Sequence, residues 1–520
     1  MSSDIPSGSR PELADLPDHI DGAVLKIAGV VVIGAIMSIL DITVVNVALP
    51  TFQTVFGSAA HPVAYSTVAW SVTAYTLALA TVIPMTGWAA DRFGTKRLYM
   101  TAIALFVSGS VLCATAWSIE ALVGFRVLQG LGGGMLMPLG MTIMTRAAGP
   151  RRMGRLMAIL GVPMLLGPIL GPILGGWLIQ VASWHWIFLI NAPIGLVAVV
   201  YAWRVLPKDT PEPSESFDFL GMALMSPGLA LFLFGVSSIP TEGTASAPRV
   251  WVTMLVGAAL MVAFVFHSFR PAHPLLDLRL FKNRNLTVTI ITMFLFAAAF
   301  FGGLLLVPTY FQEVRGESTL HAGLLVAPQG IGAMLTMPLA GSQVDKRPIG
   351  RIVPYGLALI LIGMFGLTQL TATTPYPQII AELFVMGLGM GATMMPLFTS
   401  ALKTLKANEV ARGSTLLNIN QQIASSVGVA VMSVLLTNHL QASRLAGAAM
   451  ASLHDPVLAA KIPAAAIAKG LEDAGHAFAQ TYWVAWVMVL LTLIPALMLP
   501  RRQEEADLPD EEGIPPVTVH

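Results

Sequence analysis

The sequence predicts an all-α integral membrane protein with fourteen transmembrane helices, arranged as six, two and six. Of its 520 residues, 55% are hydrophobic and 11% are charged, whereas about 25% are charged in an average soluble protein. Apolar runs of about 20 residues, the length of a helix that crosses the hydrocarbon layer, occur fourteen times. Two motifs also recur after 254 and 257 residues, which indicates a duplicated bundle.

The predicted spans divide the chain into three transmembrane parts. Six spans fall within 24–206, two within 207–285 and six within 286–500. Charged or turn residues separate them. The spans lie near residues 24–49, 63–88, 98–117, 119–145, 156–180, 184–206, 218–239, 250–270, 286–310, 320–341, 351–371, 376–400, 411–437 and 479–500. Between the last two spans, residues 438–478 are predicted to form a long loop.

Positive charge is concentrated on one side of the predicted membrane. Of the 29 Lys and Arg residues, 23 fall in segments on that side, and cytoplasmic loops are the ones that carry an excess of positive charge. We therefore expect a multi-pass protein of the inner membrane with two cytoplasmic tails, 1–23 and the acidic 501–520. The loop 438–478 is then external.

Net charge and cysteine content exclude several other classes of protein. A net charge of +1 provides no electrostatic attraction to nucleic acid. The single cysteine, Cys113, excludes a disulfide framework and a cysteine metal cluster. The expected partner is the lipid bilayer, and neither a cofactor nor a metal is expected.

The two recurring motifs define the halves of the duplication. Residues 87–92 follow the second span and resemble residues 341–346 after the tenth, while 130–138 in the fourth span resembles 387–396 in the twelfth. Transporters are often built from such repeats, with the substrate site between them. The halves are therefore spans 1 to 6 and 9 to 14, with two additional helices between them.

The loop after the second span combines glycines with charged residues in a specific spacing. Its residues and their counterparts in the repeat are Gly87, Asp91, Arg92, Gly94, Lys96, Arg97, Asp345 and Lys346. This loop resembles the signature loop of the major facilitator superfamily, and nearly the whole chain resembles its fourteen-helix drug:proton antiporter branch of the EmrB/QacA type. The resemblance implies a gate that holds the two halves together at the cytoplasmic side. Glycine permits close helix approach and a carboxylate can cap a helix N-terminus; the alternative is that these charges only set the topology.

The fifth span is unusually rich in glycine and proline. The residues concerned are Gly161, Gly167, Pro168, Gly171, Pro172, Gly175 and Gly176. In a membrane such a stripe lets helices pack closely and bend. The spacing is similar to the motif that marks the antiporters of the superfamily, and this resemblance implies export.

Two ionisable residues are predicted inside the bilayer at similar depth. Asp41 lies in the first span and Arg126 in the fourth, and an ionisable group at such a position indicates function. Our hypothesis is that Asp41 takes up a proton and Arg126 modulates it; the alternative is a static ion pair. Residues 126–130 are similar to the family's fourth-helix motif for coupling. Glu382 in the twelfth span is a second candidate proton site, unless its carboxylate reaches the outer water.

Aromatic and amide residues in the second half are candidates for substrate binding. They are Phe296, Phe300, Phe301, Tyr310, Asn418 and Gln422. Aromatic side chains suit a pocket for varied apolar ligands. The alternative for all of them is packing against lipid or neighbouring helices.

The resemblance implies a secondary active exporter of small hydrophobic or amphipathic compounds, exchanged for protons by alternating access. A monomer is expected, and an accessory periplasmic adaptor is a further partner that the resemblance allows. The alternatives are a lipid or metabolite exporter, a proton-coupled uptake symporter, a channel or sensor, and a membrane enzyme. For the enzyme, no phosphate loop, HExxH or GxSxG motif is found.

Overall fold

The computed structural model is helical wherever regular secondary structure is assigned. It describes residues 21–57, 63, 65–148, 152–209, 216–242, 246–271, 273–344, 346–403, 405, 409–443, 445–454 and 456–501. The predicted tails therefore lie almost wholly outside the described residues, as does Asp345 of the predicted gate.

The first half and the two additional helices account for the first nine elements. These are α1 (Gly22–Val55), α2 (Tyr65–Phe93), α3 (Thr95–Ala114), α4 (Ile119–Ala148), α5 (Met153–Val181), α6 (Trp186–Leu189), α7 (Asn191–Val205), α8 (Phe219–Glu242) and α9 (Pro248–Ser268). A 3-10 helix, Leu278–Lys282, follows.

The second half contains the remaining elements. These are α10 (Arg284–Glu313), α11 (Thr319–Val344), α12 (Ile349–Leu367), α13 (Tyr376–Gly391), α14 (Met394–Lys403), α15 (Val410–Gln441), α16 (Ala446–His454), α17 (Pro456–Lys461) and α18 (Ala464–Leu497).

Each predicted span coincides with a helix or a pair of helices. Thirteen helical segments among the described residues are long and apolar enough to cross a membrane. The remaining predicted span, 156–180, coincides with the 29 residues of α5. The span 184–206 consists of α6 and α7, and the span 376–400 consists of α13 and α14.

Helix packing repeats from one half to the other, as the duplicated motifs predict. In the first half α2 packs on α4, α3 on α4 and α1 on α5. In the second half the corresponding pairs are α11 with α13, α12 with α13 and α10 with α15. The additional helices α8 and α9 pack on each other, and α8 also contacts α2 and α15, one from each half.

The two halves meet where α2, α4 and α5 face α11, α14 and α15. We call this junction the seam. Its described atomic contacts lie near the end of the bundle where α2 and α11 end and α3 and α12 begin, which we call the basic end. Thr142 Oγ1 and Ser414 Oγ are 3.0 Å apart there, and Asn418 Nδ2 is 3.4 Å from Met141 Sδ. The structure is therefore closed at the basic end.

The predicted loop at 438–478 contains helical segments. Helix α15 continues to Gln441, α16 and α17 follow, and α18 begins at Ala464, well ahead of the predicted start at 479. The segment is rich in alanine, which favours helix without raising hydropathy to that of a transmembrane run. Hydropathy alone therefore missed these helices.

Candidate proton-coupling site

Asp41 and Arg126 form an ion pair in the interior of the first half. Arg126 Nη1 donates to Asp41 Oδ2, and both side chains are fully buried. Helix α1 packs on α4, so the similar depth predicted for the two residues becomes direct contact. Most of the pair's remaining hydrogen-bonding capacity is taken up by Gln129, from the 126–130 motif, and by residues without a predicted role.

Gln129 bridges the two charged groups. It lies three residues after Arg126 on α4, a spacing that places both side chains on one helix face. Its Nε2 donates to Asp41 Oδ1 over 2.7 Å, and its Oε1 accepts from Arg126 Nη1 over 2.8 Å. The carboxylate is thus held by donors on both of its oxygens.

Asn191 approaches Asp41 from another direction. Its Nδ2 is 3.4 Å from Asp41 Oδ1 and donates to Ser110 Oγ over 3.0 Å. Asn191 begins α7 and is separated from α6 only by Ile190. Pro193 follows in the first turn of α7, where a missing N–H does not break a helical hydrogen bond.

The guanidinium of Arg126 is held by the backbone and an aromatic ring of α2. Its Nε donates to the carbonyl oxygen of Ser71 over 3.0 Å, and its central carbon lies 4.1 Å from the centroid of the Tyr75 ring, a cation–π arrangement. Arg126 Nη2 is buried without a hydrogen-bond partner among the described residues. Protonation of Asp41 would leave this buried cation without its counter-charge, which is strongly unfavourable unless the helices rearrange.

The glycine stripe of α5 lies directly against α1. Gly167, Gly171 and Gly175 are four residues apart, and a Cβ on any of them would meet α1. Thr43 Oγ1 donates to the carbonyl oxygen of Gly167 over 3.1 Å, which shows how close the two backbones are. Small residues therefore let α1 pack closely on α5 beside Asp41.

The other residues of the fifth-span motif have different positions. Gly161 faces the seam, where a Cβ would meet the side chains of Met337 and Met395. Gly176 has open space where its Cβ would be. Pro168 and Pro172 belong to the helical backbone of α5, but their side chains lie outside the described part of the structure.

Among the predicted gate residues, Gly87 lies at the seam. A Cβ on Gly87 would lie 3.2 Å from both the Ala411 carbonyl oxygen and Thr415 Oγ1 of α15. Asp91 Oδ1 instead accepts from Arg146 Nη2 over 3.2 Å, within the first half. Arg92 and Lys346 are exposed at the basic end.

Asp209, which the sequence analysis did not identify, contacts the start of α3 at three predicted gate residues, Gly94, Lys96 and Arg97. The Asp209 carboxylate accepts from the backbone N–H groups of Lys96 over 2.8 Å and of Arg97 over 3.0 Å, and so caps α3. Gly94 precedes α3 with φ of 92°, a conformation that favours glycine. Lys96 Nζ also donates to the carbonyl oxygens of Trp203 and Leu206.

Glu382 is separate from the Asp41 network. It is half-buried on α13 beside Gly366 of α12. Its Oε1 accepts from Gln378 Nε2 over 2.9 Å, and its Oε2 is buried without a partner among the described residues. Its described contacts all lie within the second half.

Most of the candidate substrate residues have packing roles in this conformation. Phe296 and Phe300 stack with centroids 5.7 Å apart and are buried in the core. The Tyr310 hydroxyl donates to the carbonyl oxygen of Thr371 over 2.6 Å. Asn418 lies at the seam, while Phe301 and Gln422 are half-buried.

Comparison with known proteins identifies the family of the chain. Residues 31–429 match a sequence model described as Major Facilitator Superfamily. The chain belongs to the Major Facilitator Superfamily. This match confirms the predicted resemblance and the predicted fold class. It also confirms that the protein is a transporter rather than an enzyme, that it is a multi-pass membrane protein, and that it acts on small molecules.

This superfamily member has relatives with names that refer to drug resistance and export. It is 46% identical over 503 residues to a protein of Mycobacterium tuberculosis named multidrug resistance protein B homolog, covering 94% of this chain and 92% of that protein. It is 29% identical over 419 residues to the multidrug export protein EmrB of Haemophilus influenzae, covering 80% and 81%.

Solved structures show that the fold is shared with other transporters. The human organic anion transporter MFSD10 matches with a TM-score of 0.58 at 16% identity, over 90% of this chain and 99% of that one. The proton:xylose symporter XylE matches with a TM-score of 0.59 at 15% identity, over 92% and 96%.

Proposed function

We propose that this protein is a drug:proton antiporter that exports small hydrophobic or amphipathic compounds through alternating access. The observation that carries the proposal is the fully buried Asp41–Arg126 pair with its hydrogen-bond network. The names of the relatives support export of drugs or similar compounds. The proton gradient then takes the place of a cofactor.

The proposed coupling step is the protonation of Asp41. When Asp41 is ionised, it neutralises Arg126, and both groups can stay buried. When Asp41 is protonated, Arg126 becomes an uncompensated buried cation, and removing one partner of such a pair costs about 3–5 kcal/mol. Proton binding therefore favours a different arrangement of α1 and α4, and α1 can move against the glycine stripe of α5.

The proposed orientation places the basic end in the cytoplasm. This follows from the distribution of Lys and Arg and puts both termini inside, in the inner membrane. The three parts 24–206, 207–285 and 286–500 are then the first bundle, the additional helices and the second bundle. We propose a functional monomer, with an accessory periplasmic adaptor as an optional partner.

The test uses purified protein in liposomes that contain ethidium, with pH gradients of either sign. We expect ethidium flux that follows the gradient in the wild type and falls at least tenfold in Asp41→Asn. Glu120→Gln is the matched control, because Glu120 is an exposed carboxylate on the helix that carries Arg126. Equal gradient dependence in the wild type and in Asp41→Asn would reject the coupling role of Asp41. Flux down the proton gradient rather than against it would indicate an uptake symporter.

A further inference from the structure

Asp41 borders a small cavity on the side of α1 that faces α5, α6 and α7. The cavity has a volume of about 20 Å³, and Asp41 and Asn191 are its polar lining residues. Apolar side chains form the rest of its wall, among them Leu174, Leu178 and Ile194. Arg126 and Gln129 reach Asp41 from α4 instead, so the cavity approaches the carboxylate from a separate direction.

The size and chemistry of the cavity suit one water molecule. A void needs about 10–15 Å³ to hold a water, which also needs at least two polar partners. The Asp41 carboxylate and the Asn191 amide supply them. The direct distance from Asn191 Nδ2 to Asp41 Oδ1 is 3.4 Å, long for an N–H···O hydrogen bond, so a bridging water would improve the contact.

The cavity lies at the periphery of the first half, away from the seam. Helix α7 packs on α1, α3 and α6, and none of the described seam contacts involves it. Leu178 is three residues from the end of α5, or about 4.5 Å at the helical rise of 1.5 Å per residue. Near these wall residues, Trp177 is 56% exposed and Leu196 is 66% exposed. Part of the cavity wall is therefore close to the end opposite the basic end, on a side of the first half where neighbouring side chains are exposed.

We propose that this cavity holds the water through which Asp41 exchanges its proton, so that protons reach the site between α5 and α7, separately from a substrate moving between the halves. Asn191 is a positioning residue that holds this water. Among the described residues, the titratable groups close to Asp41 are Arg126, Tyr75 and Cys113, on α4, α2 and α3. The described lining residues from α5, α6 and α7 include no titratable side chain.

The inference rests on the proposed proton coupling and is tested by changing the volume of one wall residue. Ile194→Phe fills the cavity, Ile194→Ala enlarges it, and Leu196→Phe adds the same ring on the exposed face of α7. We expect Ile194→Phe to slow ethidium flux driven by a pH gradient about tenfold. Exchange of ethidium between the inside and the outside of the liposomes, measured without a pH gradient, should be retained. Ile194→Ala and Leu196→Phe should keep the wild-type flux. If Phe and Ala at 194 both reduce the flux equally, Ile194 has only a packing role and the inference is wrong.

An infrared measurement separates this inference from the proposed function. After a rapid drop in pH without substrate, the carboxylic acid band that Asp41→Asn removes reports protonation of Asp41. We expect this band to appear at least tenfold more slowly in Ile194→Phe than in the wild type or Leu196→Phe. An unchanged rate would overturn the separate route even if transport is proton-coupled. Conversely, a wild type without gradient-driven flux rejects the antiporter, and the infrared rates still decide how protons reach Asp41.

Discussion

At the scale of single residues, Gln129 is the side chain on which the charge pair most depends. It is fully buried and contacts both Asp41 and Arg126. Gln129→Met keeps a similar volume but removes both hydrogen bonds, and a hydrogen bond to a charged group contributes about 1.5–3 kcal/mol. We expect proton-driven flux to fall about tenfold or more, with a lower thermal unfolding temperature. The measurement is liposome flux together with a melting curve.

A control for this prediction is Gln441→Met. Gln441 is an exposed amide at the end of α15, in the other half. Wild-type flux and stability in Gln129→Met would show that the Gln129 amide only fills space. The coupling site would then consist of the Asp41–Arg126 ion pair without the hydrogen bonds of Gln129.

The sequence predicted which charged residues lie inside the bilayer but not which residues surround them. Asp41 and Arg126 could be paired because hydropathy locates depth along a helix. The spacing of Arg126 and Gln129 places their side chains on one face of α4, but rotation about the helix axis is set by packing with neighbours, so their contacts with Asp41 and that of Asn191 could not be predicted. Asp209 was missed for a related reason: it lies in the segment after α7 and contacts α3 through a loop whose path the pattern does not specify.

At the scale of helices, the contact between α1 and α5 can be tested within one motif. Gly171 lies against Thr43, whereas Gly176 has open space at its Cβ position. We expect Gly171→Leu to force α1 away from α5, to lower gradient-driven flux at least tenfold and to reduce thermal stability, because overpacking costs about 1–3 kcal/mol. Gly176→Leu should have little effect on either measurement. Equal loss in both variants would indicate that the helix needs glycine for bending rather than for close packing.

A second test at this scale concerns the connection between α10 and α11. Glu317 accepts a hydrogen bond from the Tyr376 hydroxyl at the start of α13 and contacts His321 Nδ1 over 2.8 Å. The Tyr376 hydrogen bond, with the His321 contact, holds the pKa of Glu317 below its usual range. A carboxylate with a lowered pKa stabilises the folded protein above its unfolded pKa of about 4.3, and this stabilisation is lost as pH falls through the folded value.

We therefore expect Glu317→Gln to lower the unfolding temperature at pH 7 by roughly 1–2 °C, since partly exposed pairs contribute little. The difference from the wild type should disappear as the pH falls below about 4. The control is Glu313→Gln, at the last residue of α10 and four residues before Glu317. The measurement is a set of melting curves between pH 3.5 and pH 7, a range set by the carboxylate pKa of about 4.3. A difference that does not change with pH would mean that the amide disturbs packing rather than removing a charge.

At the scale of the whole molecule, the duplicated bundle followed from the sequence because both halves retain the same motifs at nearly the same spacing. The conformation could not be predicted in this way. Alternating access requires one sequence to support two arrangements of the halves, so the pattern alone does not select between them. The seam contacts of Thr142, Ser414 and Asn418 identify the arrangement seen here as closed at the basic end.

This closure leads to a test of alternating access itself. Thr142 and Ser414 lie in different halves with their hydroxyl oxygens 3.0 Å apart, so cysteines at both positions can approach disulfide geometry. In a Cys113→Ala background, we expect oxidation of Thr142→Cys/Ser414→Cys to reduce ethidium flux at least tenfold, and a reductant to restore it. The reason is that the disulfide prevents the basic end from opening to take up substrate.

The matched control is a disulfide that does not cross the seam. Ser443 Oγ and Asp473 Oδ2 are 2.6 Å apart, and both residues belong to the second half, so oxidised Ser443→Cys/Asp473→Cys should transport like its reduced form. Loss of flux in both oxidised pairs would point to damage by oxidation. Full flux with a complete crosslink at 142 and 414 would mean that substrate passes without separation of α4 and α15, because this disulfide holds those two helices together. The proposed movement of α1 against α5 would then have to open the path within the first half alone.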